Sequence, residues 1–284
     1  MNISELEHKS IQYRRTVLQI IKQANAGHTG GSLSCVDILN VLYNQVLNVT
    51  PQNFCDPNHD RYVHSKGHSV EALYTVLADR EFFPASELDT MEKYGSLLIG
   101  HPTRKALGIE QNTGALGHGL SVAVGMAIAG KIDRRPYRVF TLLGDGELAE
   151  GSVWEASMSA AHYRLDNLIV IVDRNTLQIS GRTENVMRLE PLADKFRAFG
   201  YALKEVDGNS IPDLVQVFQT LPLAPGKPSL ILAHTVKGKG ISYIEDQAGW
   251  HHHVPNDEEY AQAMDELDRA EKELTRRYAA LETR

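Results

Sequence analysis

Two side chains about thirty residues apart carry the strongest suggestion of chemistry in this 284-residue sequence. They are Asp145, held between Gly144 and Gly146, and Asn175, which follows Asp173-Arg174. A carboxylate, a side-chain amide oxygen and a loop carbonyl form a hard, oxygen-only donor set, suited to Mg²⁺ or Ca²⁺ and unsuited to soft metals. Such a set leaves coordination positions open for diphosphate oxygens, and flanking glycines let backbone approach closely. Gly-Asp-Gly alone is an ordinary turn sequence. An asparagine at the end of the next apolar run changes that reading.

A second glycine-rich segment, Thr113 to Gly119 (TGALGHG), precedes the apolar stretch Leu120 to Ala129 and could aim backbone N–H groups at an anion. It is not a dinucleotide fingerprint, because its glycines are in the wrong order and no strand precedes them. Of twelve histidines, four sit in glycine-flanked loops: His28, His68, His101 and His251. Imidazoles can hydrogen-bond sugar hydroxyls and move protons near neutral pH. His251, His252 and His253 are adjacent and cannot easily converge on one zinc ion, and H-E-x-x-H spacing is absent. Glu147, Glu150 and Glu155 read equally as acidity favoured near a helix start. Lys237 and Lys239, in TVKGKGIS after the last strand, could face phosphate, although glycine-flanked lysines are more often simply solvated.

These residues need a scaffold that gathers them. Tyr137 to Leu143, Leu168 to Val172, Tyr201 to Val206 and Ser229 to Ala233 are short, β-branched or aromatic runs bounded by turn residues. Helical patterns separate them at Ser152 to His162, at Pro191 to Phe199 with the proline at the first helical position, and at Ile211 to Thr220. The alternation predicts an α/β fold, a parallel sheet with helices on both faces. Strand ends joined by a right-handed crossover lie on one sheet edge, so Asp145 and Asn175 could meet there. The first third is mostly helical, with helices over Ile3 to Ala26, Cys35 to Leu47 and Val70 to Arg80 and a short strand at Arg61 to His64. The tail, Asn256 to Arg284, places Met264, Leu267, Leu274, Tyr278 and Leu281 on one face of a charged helix, which reads first as packing on its own domain and second as a partner-binding helix.

Composition removes other classes. With 42% hydrophobic residues the chain can bury a sizeable core, and a formal charge of −7 argues against nucleic acid as a partner. Two cysteines, Cys35 and Cys55, outside any CxxC pair exclude a disulfide framework and a cysteine-built zinc site, and suggest the cytoplasm. The N-terminus has no apolar signal core, and no apolar stretch is long enough to span a membrane.

Gly-Asp-Gly followed by asparagine resembles the thiamine-diphosphate signature, and the companion segments resemble transketolase. They are Asn25-Ala26-Gly27-His28, Asp60-Arg61-Tyr62-Val63-His64-Ser65-Lys66-Gly67-His68, Gly100-His101-Pro102, Thr113 to Gly119 and Trp250-His251, in family order over nearly the whole chain. The resemblance implies a single thiamine-diphosphate-binding domain over 1–284. It implies that Asp145, Asn175 and the carbonyl of Leu177 ligate Mg²⁺ or Ca²⁺. Gly146, Gly114, Ala115 and Leu116 would line the cofactor, with His68 and His251 in its diphosphate region and His251 also near the reacting centre. His28 and His101 would contact the donor sugar. Glu150 and Glu155 match positions at a subunit interface linking two cofactors. His118 stands where many transketolases carry Gln and is given no catalytic role. Trp-His-His-His departs from the usual His-Gly, which leaves open which of the three histidines acts.

A full transketolase is far longer than this chain. The resemblance therefore implies the N-terminal subunit of a split transketolase, with a C-terminal partner supplying the pyrimidine-binding and C-terminal domains in an α₂β₂ assembly. The implied reaction moves a two-carbon ketol unit from a ketose, or its phosphate, to an aldose. Two other thiamine-diphosphate enzymes share parts of the signature, the α subunit of a 2-oxoacid dehydrogenase and deoxyxylulose phosphate synthase. A non-catalytic regulatory subunit is disfavoured by intact metal and diphosphate positions.

Overall fold

The computed structural model describes residues 1–282, so Thr283 and Arg284 of the expected tail helix lie outside the described residues. In chain order the elements are α1 (Ile3–Ala24), α2 (Thr29–Val41), β1 (Arg61–His64), α3 (Val70–Asp79), α4 (His118–Ile132), β2 (Val139–Gly144) and α5 (Gly151–His162). There follow β3 (Leu168–Arg174), a short hairpin of β4 (Leu177–Gln178) and β5 (Gly181–Arg182), α6 (Thr183–Val186), α7 (Leu192–Phe199), β6 (Ala202–Asp207), α8 (Ile211–Phe218), β7 (Ser229–His234) and α9 (Asp257–Glu282).

Among the described residues the main sheet has five strands, all parallel, in the order β1-β2-β3-β7-β6. Successive side chains of a strand point to opposite faces, and here both faces are covered. Phe140, Leu142, Ile169, Ile171 and Ile231 join one core with side chains of α1, α2, α3 and α8. Val139, Leu143, Leu168, Val170, Val172 and Leu230 join a second core with α4, α5 and α7. Two-sided burial explains why the runs LIVIV and SLILA are continuous rather than alternating.

Most predicted elements stand within two residues of their expected ends. The largest departure is α2, which begins at Thr29 rather than Cys35 and passes into a π-helical turn at Leu42–Val46. Every residue of α2 is buried. Its glycines permit close contact: a Cβ on Gly30 would lie 2.9 Å from the Trp250 carbonyl oxygen, and one on Gly31 would lie 3.3 Å from the His68 ring. Burial against neighbours outweighs the low helix propensity of Thr-Gly-Gly. Pro191 precedes α7 as its cap rather than opening it. The tail helix packs on its own domain as expected: Ala263 and Leu267 are buried, and Arg15 of α1 pairs with Asp268 and Glu271. Leu281 alone of the expected apolar face is well exposed, at 57%.

Candidate active site at the carboxyl edge of the sheet

The register of β2 and β3 pairs Gly144 with Asp173, so Asp145 and Asn175 emerge at the same sheet edge. Both line one cavity of about 370 Å³, together with Gly146, Leu177 and Gln178. Asp145 is buried, and its carboxylate accepts from Gly146 N (2.8 Å), Thr176 N (2.6 Å) and Arg174 Nη1 (3.0 Å). Thr176 has φ +67°, a costly conformation for a β-branched residue. It turns the chain so that Asn175 Oδ1 accepts from Leu177 N at 3.1 Å. Burial and the nearby Asp173 push the Asp145 carboxyl up to about 6, against the pull of Arg174. A hard cation at this edge would relieve that penalty.

The donor chemistry fits such a cation. Among the described residues no cluster of three or more His, Cys, Asp or Glu could hold a metal. The candidate set is one carboxylate, one amide oxygen and one backbone carbonyl, which suits Mg²⁺ or Ca²⁺ completed by ligand oxygens. The Leu177 carbonyl accepts from Lys237 Nζ at 3.4 Å.

Lys237 is the clearest correction to the sequence reading. It is 2% exposed, not solvated, and its Nζ also donates to His251 Nδ1 at 2.8 Å. Burial and the proximity of Lys66 lower its pKa to about 8. Lys66 lies deeper, ion-paired with Asp173 and donating to the Gly31 carbonyl at 3.0 Å. Burial opposes ionisation of Asp173, yet Lys66 prevails and holds its carboxyl below the usual range. Two buried ammonium groups under one cavity wall, with Gly31, Gly114 and Gly146 on its lining, suit a di-anionic group such as a diphosphate. Lys239 is partly exposed and pairs with Glu245.

The TGALGHG loop reaches the cavity through Gly114 and Leu116, whereas Ala115 is exposed beside them. A Cβ on Gly67 would come within 2.7 Å of Gly114 N, so two loops distant in sequence touch backbone to backbone. Glu147, buried after the Gly-Asp-Gly turn, ties them further. It accepts from Ser65 Oγ, from Gly117 N (2.9 Å) and from Gly144 N (3.1 Å). Its role is structural bracing rather than helix-start acidity, and no local pattern hints at its burial. Glu150 lies on the cavity edge, and Glu155 is exposed on α5.

The histidines gather as one group. The His28 ring centroid lies 5.4 Å from His68, 5.5 Å from His251, 6.0 Å from His101 and 4.5 Å from His252. His68 and His251 line the cavity and stack at 5.2 Å. Burial, with neighbouring positive groups, lowers His28 to about 4 and His251 to about 3, and moves His68 in the same direction; burial also lowers His101. Near neutral pH these four rings are therefore uncharged. Behind them, fully buried Glu71 accepts from His28 N (3.0 Å) and Ser32 Oγ (2.6 Å), and burial pushes its carboxyl up to about 7. Glu71 is not legible as a site residue, and Lys66, although it sits in the segment Asp60 to His68, carries no sign there of its depth.

The family described as the thiamine diphosphate binding domain of transketolase matches residues 6–273. The chain is 47% identical over 273 residues to an apulose-4-phosphate transketolase subunit from Phocaeicola vulgatus, covering 96% of this chain and 97% of that protein. It is 41% identical over 266 residues to a 6-deoxy-6-sulfo-D-fructose transketolase subunit from a Clostridium species, covering 93% and 97%. The solved transketolase from Campylobacter jejuni superimposes with a TM-score of 0.82 at 28% identity, over 97% of this chain and 48% of that one. The chain thus spans about half the length of the solved transketolases it matches. Strand-end oxygens, buried lysines and glycine loops on one cavity agree with those matches: the chain belongs to the transketolase family, in its N-terminal, thiamine diphosphate-binding part.

Proposed function

We propose that this chain is the N-terminal subunit of a two-chain transketolase and transfers a two-carbon ketol unit from a ketose phosphate to an aldose phosphate. The observation that carries the reading is the convergence of Asp145, Asn175 and Leu177 with the Gly114, Gly146 and His68 segments on one cavity. Asp145, Asn175 and the Leu177 carbonyl would hold Mg²⁺, or Ca²⁺. Gly146, Gly114, Ala115, Leu116, His68 and Lys237 would hold thiamine diphosphate, all within one domain spanning 1–284. When bound, that cofactor supplies the electron sink that lets the carbon–carbon bond beside a carbonyl break.

The chain's own residues bind and orient. His28 and His101 would hydrogen-bond hydroxyls near the reacting carbons of the donor, and His251, whose Nδ1 accepts from Lys237, would carry its proton on Nε2 and donate from there to an oxygen of the bound group. An uncharged histidine group favours a polyhydroxyl substrate over the carboxylate of a 2-oxoacid, which disfavours the dehydrogenase and pyruvate-using readings.

A partner subunit would complete the site, in an α₂β₂ assembly and a cytoplasmic setting. Supporting the partner are the subunit names of the similar proteins and the exposed outer face of α4 and α5. There Ile132 and Met158 are 74% and 61% exposed, and Glu155 of α5 is exposed as well. No helix among the described residues is long and apolar enough to cross a membrane.

The test is ketol transfer by the purified chain, alone and with the C-terminal partner, against a panel including apulose 4-phosphate and pyruvate. Activity requiring both chains and a ketose phosphate is expected. Full activity from the isolated chain, or activity with pyruvate only, would overturn the reading.

A further inference from the structure

Three consecutive histidines follow Trp250, and each has a different surrounding. His251 is half-buried, bonded to Lys237 and stacked on His68. His253 packs on the Trp250 ring at 4.3 Å and bonds Glu259 at 3.1 Å, while its carbonyl accepts from Thr29 Oγ1 at 2.6 Å. This last bond pins the segment to the start of α2. Between them His252 is exposed, and no hydrogen bond engages its ring among the described residues. The pinned flanks nevertheless hold that ring perpendicular to His28 at 4.5 Å, closer than any other histidine of the group. His28 in turn has a buried Nδ1 with no hydrogen-bond partner among the described residues.

An exposed imidazole with free nitrogens and a half-buried one thus face each other beside His68 and His251, which line the cavity. A buried polar atom without a partner costs free energy unless a ligand or water satisfies it. Held across the His28 ring, the nitrogens of His252 can donate to or accept from a hydroxyl that approaches His28. We propose that His252 closes the donor side of the site over His28 and hydrogen-bonds a hydroxyl of the incoming ketose, making it a specificity-determining residue for the sugar. This rests on the transketolase reading above. The ligand class is the uncharged polyhydroxyl end of a ketose. His252 is not among the residues that line the cofactor cavity.

The experiment compares His252→Ala, His252→Phe and His252→Gln in the complete two-chain enzyme, with donor kinetics and calorimetric titration of thiamine diphosphate. Loss of one hydrogen bond to a neutral group predicts that Ala and Phe raise the donor KM about ten-fold. In the same variants kcat should change by less than about three-fold, and cofactor affinity should hold. Gln, which can still hydrogen-bond, should recover most of the loss. Phe keeps the ring contact with His28, so a Phe variant as good as wild type would reduce His252 to packing and overturn the proposal. A donor KM for the Ala variant within about two-fold of wild type would also overturn it, while leaving the transketolase reading intact. Wild-type enzyme that binds thiamine diphosphate but transfers a ketol unit from no sugar would sink both together.

Discussion

The floor of the cavity and its histidine rim are built on opposite principles. The floor stands on strand ends: Asp145, Asp173 and Lys66 are almost fully buried, and every polar atom of their side chains is engaged by a neighbour. The rim comes from loops and helix starts far apart in the chain, and among the described residues it leaves His28 Nδ1 and the His252 ring without hydrogen-bond partners. A fully bonded floor is rigid and accepts a permanent group by exchanging one set of contacts for another. An open rim can take and release a transient one. The division matches a protein that keeps a cofactor and turns over a substrate.

The sharpest break in that comparison is Asp145→Ala, which removes the only carboxylate among the candidate metal oxygens. Cofactor affinity with Mg²⁺ and the partner present should fall about a thousand-fold, ~4 kcal/mol, because the diphosphate charge loses its cation. Calorimetry giving wild-type affinity would refute the metal assignment. Next in size is Glu147→Ala, which leaves the Ser65 hydroxyl and the Gly117 and Gly144 amides without their acceptor. Unfolding in urea should show a loss of about 3 kcal/mol. A loss under about 1 kcal/mol would mean that water replaces the brace.

Glu71 probes the support behind the rim. Its folded pKa is raised by burial to about 7 from an ordinary 4.5. The proton is therefore bound more tightly in the folded state, and the associated stability is fully present below about pH 4.5 and lost as pH rises through about 7. The change is on the order of 3 kcal/mol at most, since water entry and relaxation reduce it. Glu71→Gln should flatten the stability profile across that window relative to wild type. Superimposable profiles by thermal denaturation would show that Glu71 does not titrate there.

The two regions also differ in how far the sequence discloses them. Gly-Asp-Gly and Asn175 announce the floor because a strand end, a turn and a fixed crossover length translate directly into proximity. The sheet is legible for the same reason, since β-branched runs buried on both faces have no polar alternation to confuse them. Lys237 misleads because glycine neighbours suggest a solvated loop, whereas the Val236–Gly240 turn folds inward against α2. The early start of α2 is hidden because Thr-Gly-Gly is a poor helix former whose value lies in letting Trp250, Lys237 and His68 come close. Glu71 is invisible because a glutamate in a helix normally faces water, whereas α3 is buried from Val70 to Ala78 and carries Glu71 inward with it.

His101→Ala gives the smallest expected change and the finest test of the division. His101 is half-buried, lies 6.0 Å from His28 and packs against Gly114, where an added Cβ would come within 2.5 Å of its ring. Removing the imidazole opens space beside a loop that also lines the cofactor cavity, so an effect on either region is physically available. If floor and rim are separable, the floor keeps its donors, and cofactor affinity should change by less than about two-fold. Donor turnover should fall about ten-fold, the worth of one hydrogen bond to a sugar hydroxyl near the reacting carbons. Calorimetry and donor kinetics on the same preparation read the two regions independently. Equal losses in both would mean that Gly114 transmits the change and that rim and floor act as one unit.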